Sequence, residues 1–315
     1  GLASVRILRA GQDKKAENIS HGVDLTIIDQ TCKPCDDVYR YASGEWLTKN
    51  PIPAAYPSWG RFNELAERNR ELLQQILESA AANSNQASVS NEQKIGNFYA
   101  SCMDEAQINA GGAKPLDPEF ARIGAIGSIG ELQTEIARLQ SMGVNALFGF
   151  GSTQDAKNST QVIGGADQGG LGLPDRDYYT KTDDKSKQIR QQYEEHVAKV
   201  LALAGDDQAR AASEAKRVLD LETRLAEASM TRVERRDPEK TYHKMSRAEL
   251  RTLTPNWSWE NYFQEIGYTN IDFVDVSAPQ FFETMSQQLN ETPLEDWKTY
   301  LRWHLLNTAA PWLSE

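Results

Sequence analysis

Only three cysteines and four histidines occur in the 315-residue sequence, and no apolar run approaches the ~20 residues a membrane-spanning helix needs. Each scarcity excludes something. The chain as given has no helical membrane span. It also has no basic stretch followed by an apolar one, so a signal peptide is expected to have been removed or never present, and Gly1 reads as a trimmed start. Basic residues are too few: 34 Lys and Arg face 45 Asp and Glu, a formal charge of −11. Such a surface repels phosphate backbones and offers no basic stripe for counterion release, which argues against nucleic acid as a partner.

Three cysteines leave at least one unpaired within the chain. Cys32-Lys33-Pro34-Cys35 has C-x-x-C spacing, but no second such pair follows and no βαβ pattern surrounds it. Ordinary or disulfide-bonded cysteines are therefore favoured over a redox pair or half a zinc site. The histidines settle the metal question in the same way. A catalytic zinc site commonly uses two His one helical turn apart with a Glu between them. His21, His196, His243 and His304 are followed by Gly, Val, Lys and Leu, so H-E-x-x-H is absent. The inverted H-x-x-E-H fails at Glu195-His196, because Gln192 stands where the first His is needed. His196, near the stripe of Tyr193, and His304, between Trp303 and Leu305, are expected to be satisfied, partly buried side chains. No G-x-S-x-G elbow or Walker A lysine occurs. Gly149-Phe150-Gly151 starts like a dinucleotide fingerprint, but Gln154 ends the match. The pairs Glu194–Glu195 and Asp206–Asp207 read as solvated carboxylates or helix-dipole partners. The sequons at Asn18, Asn158, Asn256 and Asn290 are frequent enough by chance to establish nothing.

What is present is helical periodicity in a chain 39% hydrophobic and 25% charged. Leu65, Leu72, Leu73, Ile76, Leu77 and Ala80 share a stripe, which predicts a helix from about Arg61 to Ala82. Ile189, Tyr193, Val197, Val200, Leu201 and Ala204 define a second. Val218, Leu221, Leu225 and Ala228 define a third, and Leu294, Trp297, Leu301, Leu305 and Thr308 a fourth. Ser128 with Glu131, Ser246 with Glu249 and Thr292 with Glu295 match capping boxes, the last with Pro293 at the first helical position. Ala146–Gly151 and Gln161–Gly165 flank a polar stretch with Asp155, Asn158 and Ser159, predicting a β-hairpin with a longish loop. Ala81–Ser90 reads as a short polar connection between helices. The fold class is mainly α, multi-helical with a small β-hairpin insert, preceded by an N-terminal arm over residues 1–34. On residues alone it has no self-sufficient active site.

Several blocks resemble a known family. PCDDVYRYASGEWL (34–47), Pro51-Ile52-Pro53 and SWGRFNEL (58–65) come first, followed by Phe98-Tyr99-Ala100-Ser101-Cys102. GLGLPDRDYY (170–179), Arg236-Asp237-Pro238 and Tyr242-His243-Lys244-Met245-Ser246 complete the set. In this order they resemble the N-terminal half of the neprilysin and endothelin-converting-enzyme family of zinc metallopeptidases, from about residue 25 to the end. The resemblance implies a full-length metalloendopeptidase about twice this length, whose zinc and catalytic Glu belong to a C-terminal domain. Residues 35–315 would be its helical lid, closing over a chamber that admits peptides and excludes folded proteins. Alone, the chain would bind no zinc and be inactive, with peptides and the missing catalytic domain as partners. The resemblance also places Phe62 in the subsite just after the scissile bond. Ser58 stands where neprilysin has an Arg that grips a C-terminal carboxylate, and Asn63 where it has an Asp. Cys35 and Cys102 match positions that, in animal enzymes, pair with cysteines beyond this chain's end, while Ser43 replaces the next one. A bacterial, exported, periplasmic or secreted member fits that pattern. Most of Tyr39, Tyr41, Trp46, Trp59, Tyr178 and Tyr179 are expected to be core residues. The rival expectation is a non-enzymatic helical peptide-binding or scaffolding module.

Overall fold

The computed structural model describes residues 24–83 and 90–314. These separate between Ser101 and Cys102 into two compact units. The first holds α1 (Val38–Lys49), α2 (Arg61–Ala82) and nearly all of α3 (Asn91–Cys102). The second holds α4 (Glu105–Gly111), α5 (Asp117–Gly124), α6 (Ile129–Ser141), α7 (Asp177–Thr180), α8 (Asp184–Leu203) and α9 (Gln208–Ala228). It continues with α10 (Arg247–Leu253), α11 (Trp259–Glu265), α12 (Pro279–Glu291) and α13 (Leu294–Ala309). Its strands are β1 (Phe148–Asp155), β2 (Asn158–Gln168), β3 (Lys244–Ser246) and β4 (Phe273–Val276). The architecture is mainly α with one small sheet.

Local chemistry explains where the helices start. Asp37, Asp104, Asp183, Asp207 and Ser258 each accept from a backbone N–H of the first turn, satisfying a donor with no intrahelical partner. Asp207 thus caps α9, whereas its neighbour Asp206 is not solvated: its side chain is buried and pairs with Arg302 at 3.0 Å. Ser246 and Glu249 form the full reciprocal capping box. Ser128 caps α6, but Glu131 reaches one residue further back, to the Gly127 N–H at 2.7 Å. The third expected box does not form. Pro293 is itself the N-cap of α13, and Thr292 ends α12, its hydroxyl engaged with Gln288 and Arg224.

In the first unit, residues 24–34 make one 3-10 helix (Leu25–Ile27) followed by turns and a bend; residues 1–23 of the expected arm lie outside the described residues. Asp29 joins this segment to α1. Its carboxylate accepts from the Thr31 N–H (2.9 Å) and Arg40 Nε (3.2 Å), and its own N–H donates to the Tyr41 carbonyl (2.9 Å). Trp46 is buried, with the Arg61 guanidinium 5.2 Å above its ring, and Gly96 of α3 lies against the Ala80 backbone of α2. Of the six aromatics expected to be mostly core, only Trp46 and Tyr179 are buried; Tyr41, Trp59 and Tyr178 are half-buried and Tyr39 is exposed.

The second unit carries two apolar clusters. The larger centres on Phe148, whose ring lies 5.2–5.7 Å from Trp257, Trp259, Tyr262 and Phe282. Such offset and edge-on pairs add specificity to simple burial. The smaller joins Tyr193, Val197 and Leu201 of α8, Ala211, Ala215 and Val218 of α9, and Trp303 and Leu306 of α13. The predicted stripe of α8 meets Val218 of α9 here, whereas Leu221 and Leu225 of α9 and Trp297, Leu301 and Leu305 of α13 face the larger cluster, and Thr308 is exposed.

The sheet runs β1-β2-β4-β3. β1 and β2 are antiparallel, β4 adds parallel to β2, and β3 pairs antiparallel with β4. The hairpin loop is shorter than the sequence suggests: only residues 156 and 157 separate the strands. Asp155 is the reason. Its buried carboxylate accepts from Lys244 Nζ (2.7 Å), the Tyr242 hydroxyl (2.9 Å) and the Lys157 N–H (2.9 Å), fastening the hairpin tip to β3. These contacts, the Lys244 bond foremost, lower its pKa from 3.8 to about 2. A carboxylate with a depressed folded pKa stabilises the fold fully above its unfolded value and loses that contribution as pH falls through the folded one. Stability should therefore drop between pH 4 and pH 2, and Asp155→Asn should flatten that part of the profile while lowering stability at neutral pH. Urea midpoints across pH 2–7 measure this; parallel profiles for the two proteins would refute it.

Candidate functional site

The residues singled out at 58–63 sit where an extended segment enters α2. Gly60 is its N-cap in an extended conformation, without a side-chain cap. Arg61 reaches Glu64 at 2.9 Å, and Tyr56 packs edge-on to Trp59 at 4.9 Å. Ser58 is exposed, Asn63 half-buried, and Phe62 is 88% exposed at the first turn of the helix. An uncovered phenyl ring beside a hydroxyl and an amide is a surface for an apolar side chain, with polar groups at its margin. The stripe that defines α2 is open too: Leu65, Leu72, Leu73 and Ile76 are each more than half exposed.

The described histidines are spent elsewhere. His243 Nδ1 lies 3.0 Å from the Val276 carbonyl, and its N–H donates to Asp275. His304 is buried, as expected, with Nε2 2.9 Å from Glu222 Oε1. His196 departs from expectation: it is exposed, its ring lying edge-on to Trp303 at 5.8 Å, because it sits on the outer flank of the α8 stripe. His21 lies outside the described residues. Among those residues, no three His, Cys, Asp or Glu side chains converge as metal ligands would. Cys32, Cys35 and Cys102 are free thiols within the structure.

The motif Gly170–Tyr179 has a structural explanation that the sequence hid. Glu222 of α9 is fully buried. Tyr179 and Tyr193 donate to its Oε2 at 2.7 and 2.9 Å, and His304 approaches Oε1. Tyr179 in turn accepts from the Leu173 N–H (2.8 Å), and Tyr193 from Trp303 Nε1 (2.8 Å). Tyr300 stacks on His304 at 4.2 Å, donates to the Gly170 carbonyl and accepts from the N–H of Leu147. Burial, reinforced by the Glu222 charge, pushes the phenols of Tyr179, Tyr193 and Tyr300 well above 10.0, so all three remain donors. The loop they hold admits only glycine at two positions. A Cβ on Gly170 (φ 70°) would come within 2.4 Å of Tyr300 Oη, and one on Gly172 within 1.9 Å of Tyr193 Oη. Leu147, buried at φ 63°, is kept in that unfavourable region by its bond to Tyr300. Glu222 interrupts an otherwise apolar stripe between Leu221 and Leu225, the one signal that could have found it.

A wide cleft of about 970 Å³ opens beside β2, lined by Phe150, Val162, Tyr262, Ile266, Ile271 and Asp272 among others. Sequence reasoning gave no hint of it.

Comparison with known proteins gives a consistent picture. The profile of Peptidase family M13 matches residues 34–315. Human "Endothelin-converting enzyme 1" is 30% identical over 304 residues, covering 92% of this chain and 39% of that protein. "Neprilysin-3" of Drosophila melanogaster is 31% identical over 314 residues with the same coverages. A zinc metalloprotease of Mycobacterium tuberculosis, solved with an inhibitor, superposes with a TM-score of 0.79 at 31% identity, covering 93% of this chain and 45% of that one. The same protein in an open state superposes at 0.77. The chain spans about two fifths of the length of these curated relatives.

The Glu222 centre can be tested on stability directly. Tyr179→Phe removes a hydrogen bond to a buried carboxylate and strands the Leu173 N–H. It should cost about 1.5–3 kcal/mol in the urea unfolding free energy. A change below about 0.5 kcal/mol, typical of surface substitutions, would mean the bond contributes nothing net.

Proposed function

Since the chain belongs to Peptidase family M13 by its match over residues 34–315, we propose that it is the N-terminal half of a zinc-dependent metalloendopeptidase. In this reading it forms the helical lid that restricts the reaction chamber to peptides. The match along nearly the whole chain, against relatives more than twice its length, carries the reading. The described residues do not fit a zinc centre, since no three His, Cys, Asp or Glu side chains among them converge, and His243 and His304 are engaged by the Val276 carbonyl and Glu222. No hydrolytic step is therefore assigned to them, and zinc with its ligands belongs to the remainder of the protein.

The chain's own contribution is binding and exclusion. Phe62, the most exposed large apolar side chain among the described residues, would receive the side chain following the scissile bond; burying such a group contributes about 1.5–3 kcal/mol. Ser58 and Asn63 flank it without offering a cation. The open apolar face of α2 fits a surface that the rest of the enzyme or its substrate covers, since exposed stripes of this kind usually mark interfaces. The open state recorded for the Mycobacterium tuberculosis protein supports a lid that moves. Placement outside the cytoplasm completes the reading.

The full-length protein should contain about one zinc per chain and should cleave short peptides while sparing folded proteins. A chelator should stop the cleavage and zinc should restore it. A native protein no longer than this chain, free of zinc and without peptidase activity, would leave a helical binding module instead. Specificity offers a second check. With Ser58 in place of a guanidinium, a free C-terminal carboxylate lacks a charge-assisted anchor. Ser58→Arg in the full-length enzyme should raise kcat/KM about tenfold for cleavage two residues from a free C-terminus. Equal rates for free-acid and amidated peptides in both proteins would refute this.

A further inference from the structure

The ladder between β2 and β4 begins only at Gly164↔Val274 and ends at Ala166↔Val276. In the first half of β2 only Val162 and Asn158 have partners, Gln154 and Asp155 of β1, with a bulge between them. The Ser277 N–H donates to the Ala166 carbonyl, so Ala166 turns its backbone groups toward β4. By the alternation of a strand, Gly164 and Val162, the last residue before the bulge, turn theirs the same way. Gly164 finds its partners in β4. Asn158 Oδ1 takes the Thr160 N–H at 3.3 Å, and Val162 lies beyond the end of the ladder. This is an open strand edge of the kind natural sheets usually bury, twist or charge.

The edge is also the wall of the 970 Å³ cleft. Val162, 75% exposed, stands at its lip, and Phe150, Ile163, Tyr262, Ile266 and Ile271 line it with apolar surface. Its size is that of a ligand cleft, about 300–1,000 Å³. Asp272 is the one charged residue of the lining, is exposed, and has no cationic partner among the described residues. A strand edge, an apolar trough and a single free carboxylate are complementary to one kind of occupant. We propose that this cleft is a peptide-binding exosite, in which an extended segment adds to β2 at Val162, places alternate aliphatic side chains in the trough, and meets Asp272 with a lysine or arginine. Backbone pairing gives such a site affinity, and the trough and carboxylate give it selectivity. The assignment concerns this chain's own cleft and is separate from the zinc-dependent reaction.

The test uses the full-length protein held inactive with a chelator. The probe is a fluorescein-labelled peptide of alternating valine and threonine ending in two lysines. Anisotropy should show saturable binding, and hydrogen exchange should slow across residues 158–163 when the peptide is present. Val162→Pro removes the edge N–H and should weaken binding at least about tenfold. Asp272→Lys should disfavour the lysine peptide and favour its glutamate counterpart. The exchange measurement on the unaltered protein and the Asp272→Lys comparison do not depend on Val162→Pro folding well. Absence of peptide-induced protection at 158–163 would overturn the proposal, as would unchanged preference in Asp272→Lys. Protection that needs no peptide and rises with protein concentration would mean edge pairing between two copies, and would overturn it too. With the chelator omitted, hydrolysis of the probe without protection at Val162 would sink the exosite and leave the peptidase reading standing. Protection without hydrolysis would do the reverse.

Discussion

A single fully buried carboxylate, Glu222, is what the second unit is arranged around. Removing a charge from water costs several kcal/mol unless hydrogen bonds replace the lost solvation. Here the replacement comes from three directions: Tyr179 of α7, Tyr193 of α8 and His304 of α13. Each of those side chains can reach Glu222 only if its helix lies where it does, so one solvation requirement fixes the positions of four helices. A uniformly apolar junction would let α8, α9 and α13 slide by fractions of a turn. The carboxylate does not allow that, because any displacement leaves a donor or acceptor unpaired at low dielectric.

The same centre disciplines the loop before α7. Gly170 and Gly172 let the backbone pass within reach of Tyr300 and Tyr193, and Tyr179 returns to hold the Leu173 N–H. The order of residues in GLGLPDRDYY follows from this: glycines where tyrosine hydroxyls approach, then a tyrosine that closes on the loop it ends. The motif resembles a family hallmark, and its physical content is the fixing of a loop rather than contact with a reacting group.

What the sequence made legible follows from length and period. α2, α8, α9 and α13 each span several turns, so their apolar stripes repeat often enough to set both type and extent. The hairpin was visible through its β-prone runs, but its polar tip read as loop, because the bonds from Lys244 and Tyr242 that order Asp155 come from residues almost ninety positions away. β3 and β4, three and four residues long, are too short for any period to register. Asp155 looks like an ordinary surface acid in one dimension, and Glu222 stands out only by its place in an apolar stripe. The partners that decide the burial of each charge are distant in sequence.

Periodicity also cannot say what covers a stripe, and α2 makes the point. Its pattern is as regular as that of α9, yet Leu221 and Leu225 are buried while Leu65, Leu72, Leu73 and Ile76 are open. Identical local logic thus yields a core helix in one place and an uncovered face in another. At about 25 cal/mol per Å² of apolar surface, leaving such a face in water forgoes several kcal/mol that any matching surface would recover. Phe62 continues the same open face at its N-terminal end. An aromatic ring and an aliphatic stripe left open together are more economically explained as one surface awaiting cover than as separate accidents. Under the peptidase reading, that cover is shared between substrate at Phe62 and the zinc-bearing half along the rest of α2.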